Sequence, residues 1–243
     1  MSKVGIFMAD GCEEIEGLTV VDIVRRAKLE IETISITEKA EVTSSHQVTF
    51  KTDTTKAQAD FDSYDAIVLP GGMPGTLNLG ADEIVVKTIK SFAAEGKLVA
   101  AICAAPSVLG ENHILEGKKA TCHPGFEEKL LGAQWLEQPV VVDGNVITSR
   151  GMGTAIAFAL EIVRYFTDDA TVALCSRAAM SLGTTSRMEA SDAPVMVQLS
   201  SVSHRASPWR RMICFFASMS SRFGTGSPVR AAIIGQKRFC GWP

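Results

Sequence analysis

KLVAAICAAPSVLG, residues 97–110, decides how this chain folds. Leu98 to Ile102 is an unbroken apolar run, the signature of a strand buried on both faces of a parallel sheet. Ala104, Ala105 and Pro106 then open a helix, because proline is tolerated in a helix's first turn, where its missing N–H has no partner to lose. Cys103 therefore falls on a sharp strand-to-helix turn. A thiol there faces unpaired backbone N–H groups and the positive end of the helix dipole, which predicts a pKa below about 8.5 and a nucleophilic thiolate. A cysteine in an apolar stretch is ordinarily a small buried hydrophobe, and it is the position on the turn that favours the reactive reading.

Outward from this elbow the same alternation continues. Lys3–Ala9 and Glu30–Ile36 read as strands, and Ile15–Ala27 as an amphipathic helix with Leu18, Val21 and Ile23 or Val24 inward. Glu41–Thr43 and VTFKTD (48–53) form a short hairpin, and AIVLPGG (66–72) is a buried strand ending in a Gly-Gly turn. Asp82–Glu95 is a helix capped by Asp82 and stopped by Gly96, Lys119–Cys122 a strand, VVVDGNVITS (140–149) a hairpin turning on Asp143-Gly144-Asn145, and Thr154–Tyr165 a helix. Strands alternating with helices predict an α/β fold with a mostly parallel sheet covered on both faces, whose ligands bind at the carboxyl ends of the strands.

The chain of 243 residues and net charge −3 is long enough for one large domain with an appendage. No uninterrupted apolar run reaches the roughly 18–20 residues that a membrane helix requires, and MSKVGIFMADG turns acidic before a signal-peptide core develops; a cytoplasmic protein without membrane partners is expected. Cys12, Cys103, Cys122, Cys175, Cys214 and Cys240 show neither a CxxC pair nor zinc-ligand spacing, so free thiols and no metal are expected. The domain is placed at 1–174. Residues 175–243 read as an atypical extension: from 181 onward seven arginines stand against the single Lys237, with only Glu189 and Asp192 acidic. Arginine-rich segments bind phosphates, but a poorly ordered, adventitious extension accounts better for a Ser-rich stretch without sustained period, and nucleic-acid binding is not expected.

A cysteine nucleophile needs a proton relay and donors for the oxyanion it creates. Three segments end where a doubly wound sheet brings them near Cys103. In GCEEIEG, Glu13 and Glu14 are first-turn carboxylates, whereas Glu16 lies one turn in and can point back over the sheet's end, where burial raises its pKa. In LPGGMPG, the N–H groups of Gly71 and Gly72 can turn toward a bound oxygen. In TCHPG, His123 follows a strand while Cys122 points into the core.

MADGCEEIEG, IVLPGGMPG, AAICAAPSVL, TCHPG and VITSRGMGTAIAFALEIV, in this order, resemble the ThiJ/PfpI superfamily, most closely its Parkinsonism-associated deglycase (DJ-one) branch, over nearly the whole body of the chain. The resemblance implies a flavodoxin-like three-layer sandwich of the class I glutamine amidotransferase kind, homodimeric and without cofactor. It implies Cys103 as the reactive cysteine, Glu16 as the carboxylic acid bonded to it, His123 beside them, Gly72 and the Ala104 N–H as oxyanion donors, and Arg150 in a motif that orders the site. PfpI-type proteases resemble the chain but carry histidine where Ala104 stands. Class I glutaminases carry glycine at the place of Ala101 and glutamate at that of Gly125. Ala105 replaces a frequent glycine, and His46 stands where some members have an arginine reaching toward the partner's site. The implied activity is that of a cofactor-independent glyoxalase or deglycase acting on methylglyoxal, glyoxal or their early glycated adducts; the alternative is a cysteine-based oxidative-stress sensor or protective chaperone, with Cys12 a candidate resolving thiol.

Overall fold

The computed structural model describes residues 2–180. In chain order the elements are β1 (Lys3–Met8), α1 (Glu14–Arg26), β2 (Glu30–Ser35), β3 (Glu41–Thr43), β4 (Thr49–Lys51), β5 (Thr54–Thr55), β6 (Ala66–Leu69), α2 (Gly75–Ala81), α3 (Glu83–Ala94), β7 (Leu98–Ile102), α4 (Pro106–Glu111), β8 (Lys119–Ala120), β9 (Gln134–Trp135), β10 (Val140–Asp143), β11 (Val146–Ser149), α5 (Ala155–Phe166) and α6 (Asp169–Met180). The central sheet runs β10-β11-β7-β6-β1-β2-β5, with only β10 antiparallel. β6 and β7 are buried throughout, as continuous apolar runs demand.

Alternation along the strands divides the core into two faces. Val4, Ile6 and Met8 of β1, with Ala66 and Val68 of β6, pack under α1 and α5. Phe7, Ile67, Leu69, Val99 and Ala101 point the other way, under Val85, Ile89 and Phe92 of α3 and Val108 and Leu109 of α4. This is the expected three-layer sandwich. The order reverses between β1 and β6, so a crevice opens there at the carboxyl ends of the strands.

Three local expectations are corrected. Leu18 is exposed, and α1 instead buries Glu16, Gly17, Val20, Val21, Ile23 and Val24, a stripe at helical spacing that carries Glu16 inward with the apolar residues. The strand expected over Lys119–Cys122 is only β8, paired with β9 in a separate small sheet. It stops because the next amide, that of Thr121, donates to the Thr148 side chain of β11 and not to a backbone carbonyl of a partner strand. The division expected after residue 174 falls inside α6, whose Cys175 is buried against the core; the remainder of the expected extension, with Cys214 and Cys240, lies outside the described residues. Among the described residues no helix is long and apolar enough to cross a membrane.

Candidate active site

Cys103 sits at φ +65, left-handed backbone that a non-glycine residue adopts at a cost of about 1–2 kcal/mol. The turn is held by its neighbours. The Cys103 N–H donates to the Ser149 carbonyl at 2.9 Å, its own carbonyl accepts the His123 N–H at 2.8 Å, and the Ala105 N–H donates to Ile102 at 3.1 Å. Strand β11 and the 121–125 loop thus clamp the elbow from two sides. The thiol is aimed at the crevice, where the amides of Gly72 and Ala104 point at Sγ.

Glu16 comes to the same place from α1. The residue is 1% exposed, and its carboxyl lies within hydrogen-bonding reach of Cys103 Sγ and accepts the Gly71 N–H at 3.0 Å, with the Met152 amide also facing it. Burial, foremost, pushes Glu16 up to about 7, and the Cys103 and Gly71 hydrogen bonds oppose the rise. The lowering expected for Cys103 from the helix dipole is overturned. Burial first, and then the charge and hydrogen bond of Glu16, push the thiol up to about 12 against the pull of the Ala104 and Gly72 amides. A six-residue helix such as α4 offers too little dipole to compete. Cys103 and Glu16 therefore titrate as a pair that carries one negative charge from about neutral pH upward, the ionised member accepting the other's proton.

The other expected residues divide. Gly72 and Ala104 present their amides to the sulfur, but the Gly71 amide is committed to Glu16 rather than to an oxyanion. Gly71 is required for space: a Cβ there would lie 2.5 Å from Cys103 Cβ and 2.7 Å from Glu16 Oε2. His123 is exposed beside the pair, and since a carbonyl only accepts, its Nδ1 donates to Pro124 at 2.9 Å, leaving Nε2 of the neutral ring as an acceptor. The Arg150 guanidinium turns to Glu137 at 3.2 Å, and the Arg150 amide to Pro139. Its contribution to the site is the backbone path from Ser149 to Gly151.

Gly151 is the residue that motif reading passes over. A carbon at its Cβ position would sit 3.6 Å from His123 Cδ2, 3.7 Å from Glu16 Oε1 and 3.9 Å from Cys103 Sγ. A side chain at this position would therefore touch all three groups, so glycine keeps this flank of the pair free of one. The only sequence signal for it is the glycine itself in TSRGMG, and glycines in turns are too common to single it out.

Cys12 is wholly buried and held well above its ordinary pKa, chiefly by burial, which leaves it ill suited to resolve an oxidised Cys103. Cys12, Cys103, Cys122 and Cys175 are all free. At the start of α1, Glu13, Glu14 and His46 bring one ligand atom each within 4.8 Å. The group is an ion-paired cap: Glu13 Oε2 accepts the Glu16 N–H at 2.8 Å, and His46 Nδ1 lies 3.1 Å from Glu14 Oε2. The hydrogen bond and charge of Glu14 raise the His46 pKa.

A doubly wound sheet that presents a cysteine on a positive-φ elbow against a buried carboxyl defines a class of α/β proteins built around one reactive thiol. Residues 2–165 match the DJ-1/PfpI family, and the chain belongs to that family. It is 41% identical over 160 residues to Protein DJ-1 homolog B of Arabidopsis thaliana, an alignment covering 65% of this chain and 36% of that protein, so the chain spans about a third of that relative's length. It is 34% identical to a Thermococcus kodakarensis protein named a deglycase, over 67% of this chain and 98% of the relative. The solved structure of oxidized Toxoplasma gondii DJ-1 is 31% identical and superimposes with a TM-score of 0.72, covering 74% of this chain and 98% of that one.

Proposed function

We propose that the chain is a cofactor-independent glyoxalase or deglycase that converts methylglyoxal, glyoxal or their early adducts to hydroxyacids through Cys103. The observation that carries this reading is the contact between Cys103 Sγ and a buried carboxyl poised near pH 7, the pKa range in which a general acid–base works best. The deglycase name of the Thermococcus relative supports it.

Cys103 sulfur adds to the aldehyde carbon as its proton passes to Glu16, which hands it to the carbonyl oxygen to give a hemithioacetal. Removal of the proton on that carbon, by the carboxylate so restored or by His123 Nε2, its return to the neighbouring carbonyl carbon, and passage of the hydroxyl proton to the neighbouring oxygen convert the hemithioacetal to a thioester. Water then cleaves the thioester, releasing lactate and restoring the thiol. The sum is methylglyoxal plus water to lactate, with no net oxidation. The test is lactate formation by the full chain without glutathione or added metal; a purified, folded chain that forms none overturns the proposal.

Gly151→Ala places a methyl against Cys103, Glu16 and His123 and strains a backbone held at φ +157. Turnover of methylglyoxal should fall at least tenfold, with a folded spectrum by circular dichroism. Undiminished kcat/KM would move the substrate elsewhere.

A second reading, as a peroxide sensor, is favoured by the amides of Gly72 and Ala104 and the Glu16 carboxyl around Sγ, which suit a sulfinate, and by the oxidized state in which the Toxoplasma relative was solved. Peroxide oxidises the sulfur to sulfenate, releasing water, and a second peroxide takes it to sulfinate.

The partner in either reading is a second copy of the chain. Ile15 and Leu18 of α1, Val48, and Ile156 of α5 are 48%, 39%, 45% and 38% exposed, an apolar set beside the loop that carries His46. Sedimentation should show a dimer for the wild type and a monomer for Ile15→Glu. A wild-type monomer at micromolar concentration would remove the assembly.

A further inference from the structure

The segment from Ser149 to Thr154 passes over the reacting pair, yet packing alone does not fix it, because Met152 is 58% exposed and Gly153 is exposed as well. The amide and the hydroxyl of Thr154 close it. The Thr154 N–H donates to the Gly151 carbonyl at 2.8 Å, and Thr154 Oγ1, which also lies 2.8 Å from that carbonyl, accepts the Gly151 N–H at 3.1 Å and donates to Ser149 Oγ at 2.7 Å, since the Ser149 proton goes to Pro139. Ser149 is buried, bonds the Pro139 carbonyl through Oγ at 2.9 Å, and through its own carbonyl holds the Cys103 N–H. The Thr154 hydroxyl is thereby tied both to the elbow strand and to the residue whose Cα faces Cys103, Glu16 and His123.

We infer that Thr154 is a positioning residue of the site, its hydroxyl clasping the Gly151–Met152 segment over Cys103 and Glu16. The clasp has two consequences. It keeps Gly151 against Cys103, Glu16 and His123, and it keeps the Met152 amide on the Glu16 carboxyl. The groups facing that carboxyl are Cys103 from the elbow, Glu13 from the start of α1, and the amides of Gly71 and Met152. Of these, the Met152 amide is the one that follows directly on the Gly151 N–H held by the Thr154 hydroxyl. Losing it removes a donor that favours the ionised carboxyl, so the pair gives up its first proton at higher pH.

The same bonds also cap the turn leading into α5, and a cap alone changes stability without changing the sulfur. The inference rests on Cys103 and Glu16 as the reacting pair, and it is tested by alkylation, so that a chain without glyoxalase turnover leaves it decidable. The rate of Cys103 alkylation by iodoacetamide, read by peptide mass on the full chain from pH 5 to 9, should rise through neutrality in the wild type. Thr154→Val should move that curve upward and lower the rate about threefold at pH 5.5, and about twofold at pH 7, the equivalent of a half-unit shift. Thr154→Ser, which restores the hydroxyl, should follow the wild type. A wild-type curve for Thr154→Val, whatever its melting temperature, overturns the inference, as does a Thr154→Ser curve displaced like that of valine. Should Thr154→Val fail to fold by circular dichroism, Ser149→Ala removes the other hydroxyl of the clasp. The same upward displacement is then expected, and its absence is the overturning result.

Discussion

Cys103→Ser is expected to lose at least about a thousandfold in methylglyoxal turnover while keeping the fold. Sulfur and oxygen differ little in size here, and the bonds that hold the elbow run through the backbone of Cys103 and survive the change. The loss is chemical. A carboxylate with a pKa of about 7 is a competent base for a thiol but a poor one for an aliphatic alcohol, which is also the weaker nucleophile toward the aldehyde. Lactate measured after methylglyoxal addition, on preparations shown by mass spectrometry to lack other glyoxalases, is the readout. Wild-type lactate formation by the serine variant would falsify the cysteine mechanism. Should the wild type also be inactive, while graded peroxide adds two oxygens selectively at Cys103, the sensor reading takes its place; if Cys103 is indifferent to peroxide as well, both fall.

The second large effect is that of Glu16→Gln, which separates catalysis from stability by pH. In the wild type the pair becomes reactive as its first proton leaves near pH 7, so kcat/KM should climb about tenfold per pH unit below that value and level off above it. Glutamine neither accepts nor returns the proton. Turnover should drop at least a hundredfold, and the rising limb should vanish. Stability moves the other way. The folded pKa of Glu16 lies above its ordinary value of 4.5, so the protonated form is the one the fold favours. That contribution is complete below about pH 4.5 and is lost as pH rises through 7. Above 7 the wild type keeps a buried charge that costs on the order of 3 kcal/mol. Glu16→Gln should therefore melt higher than the wild type at pH 8 to 9, and the advantage should shrink toward pH 5. An advantage that did not depend on pH would show that the carboxyl titrates alike in the folded and unfolded chain.

The elbow at Cys103 was legible because each of its parts has a local cause. Leu98 to Ile102 can only be a doubly buried strand, and Pro106 can only open a helix at its first turn. Glu16 was legible from its place one turn into α1, after the strand end, but the face that carries it inward was not, since Val20 and not Leu18 is buried beside it. His123 was found through a strand that barely exists; what holds it near the sulfur is its amide's bond to the Cys103 carbonyl, a contact between residues 20 positions apart. Gly71 was correctly placed but given the wrong partner, because Gly-Gly permits an amide to turn toward an anion without saying that the anion is Glu16.

By itself the sequence determined the alternating α/β layers and the place of Cys103 on the strand-to-helix turn, because apolar periodicity and turn chemistry act over a few residues. Only the tertiary structure decided the charge on that cysteine, the partner of the Gly71 amide and the approach of Gly151 to the pair. Those depend on how far β1, β6, β7 and β11 exclude water from one point where they end together, and burial of that kind is a property of the assembled sheet that no single segment carries.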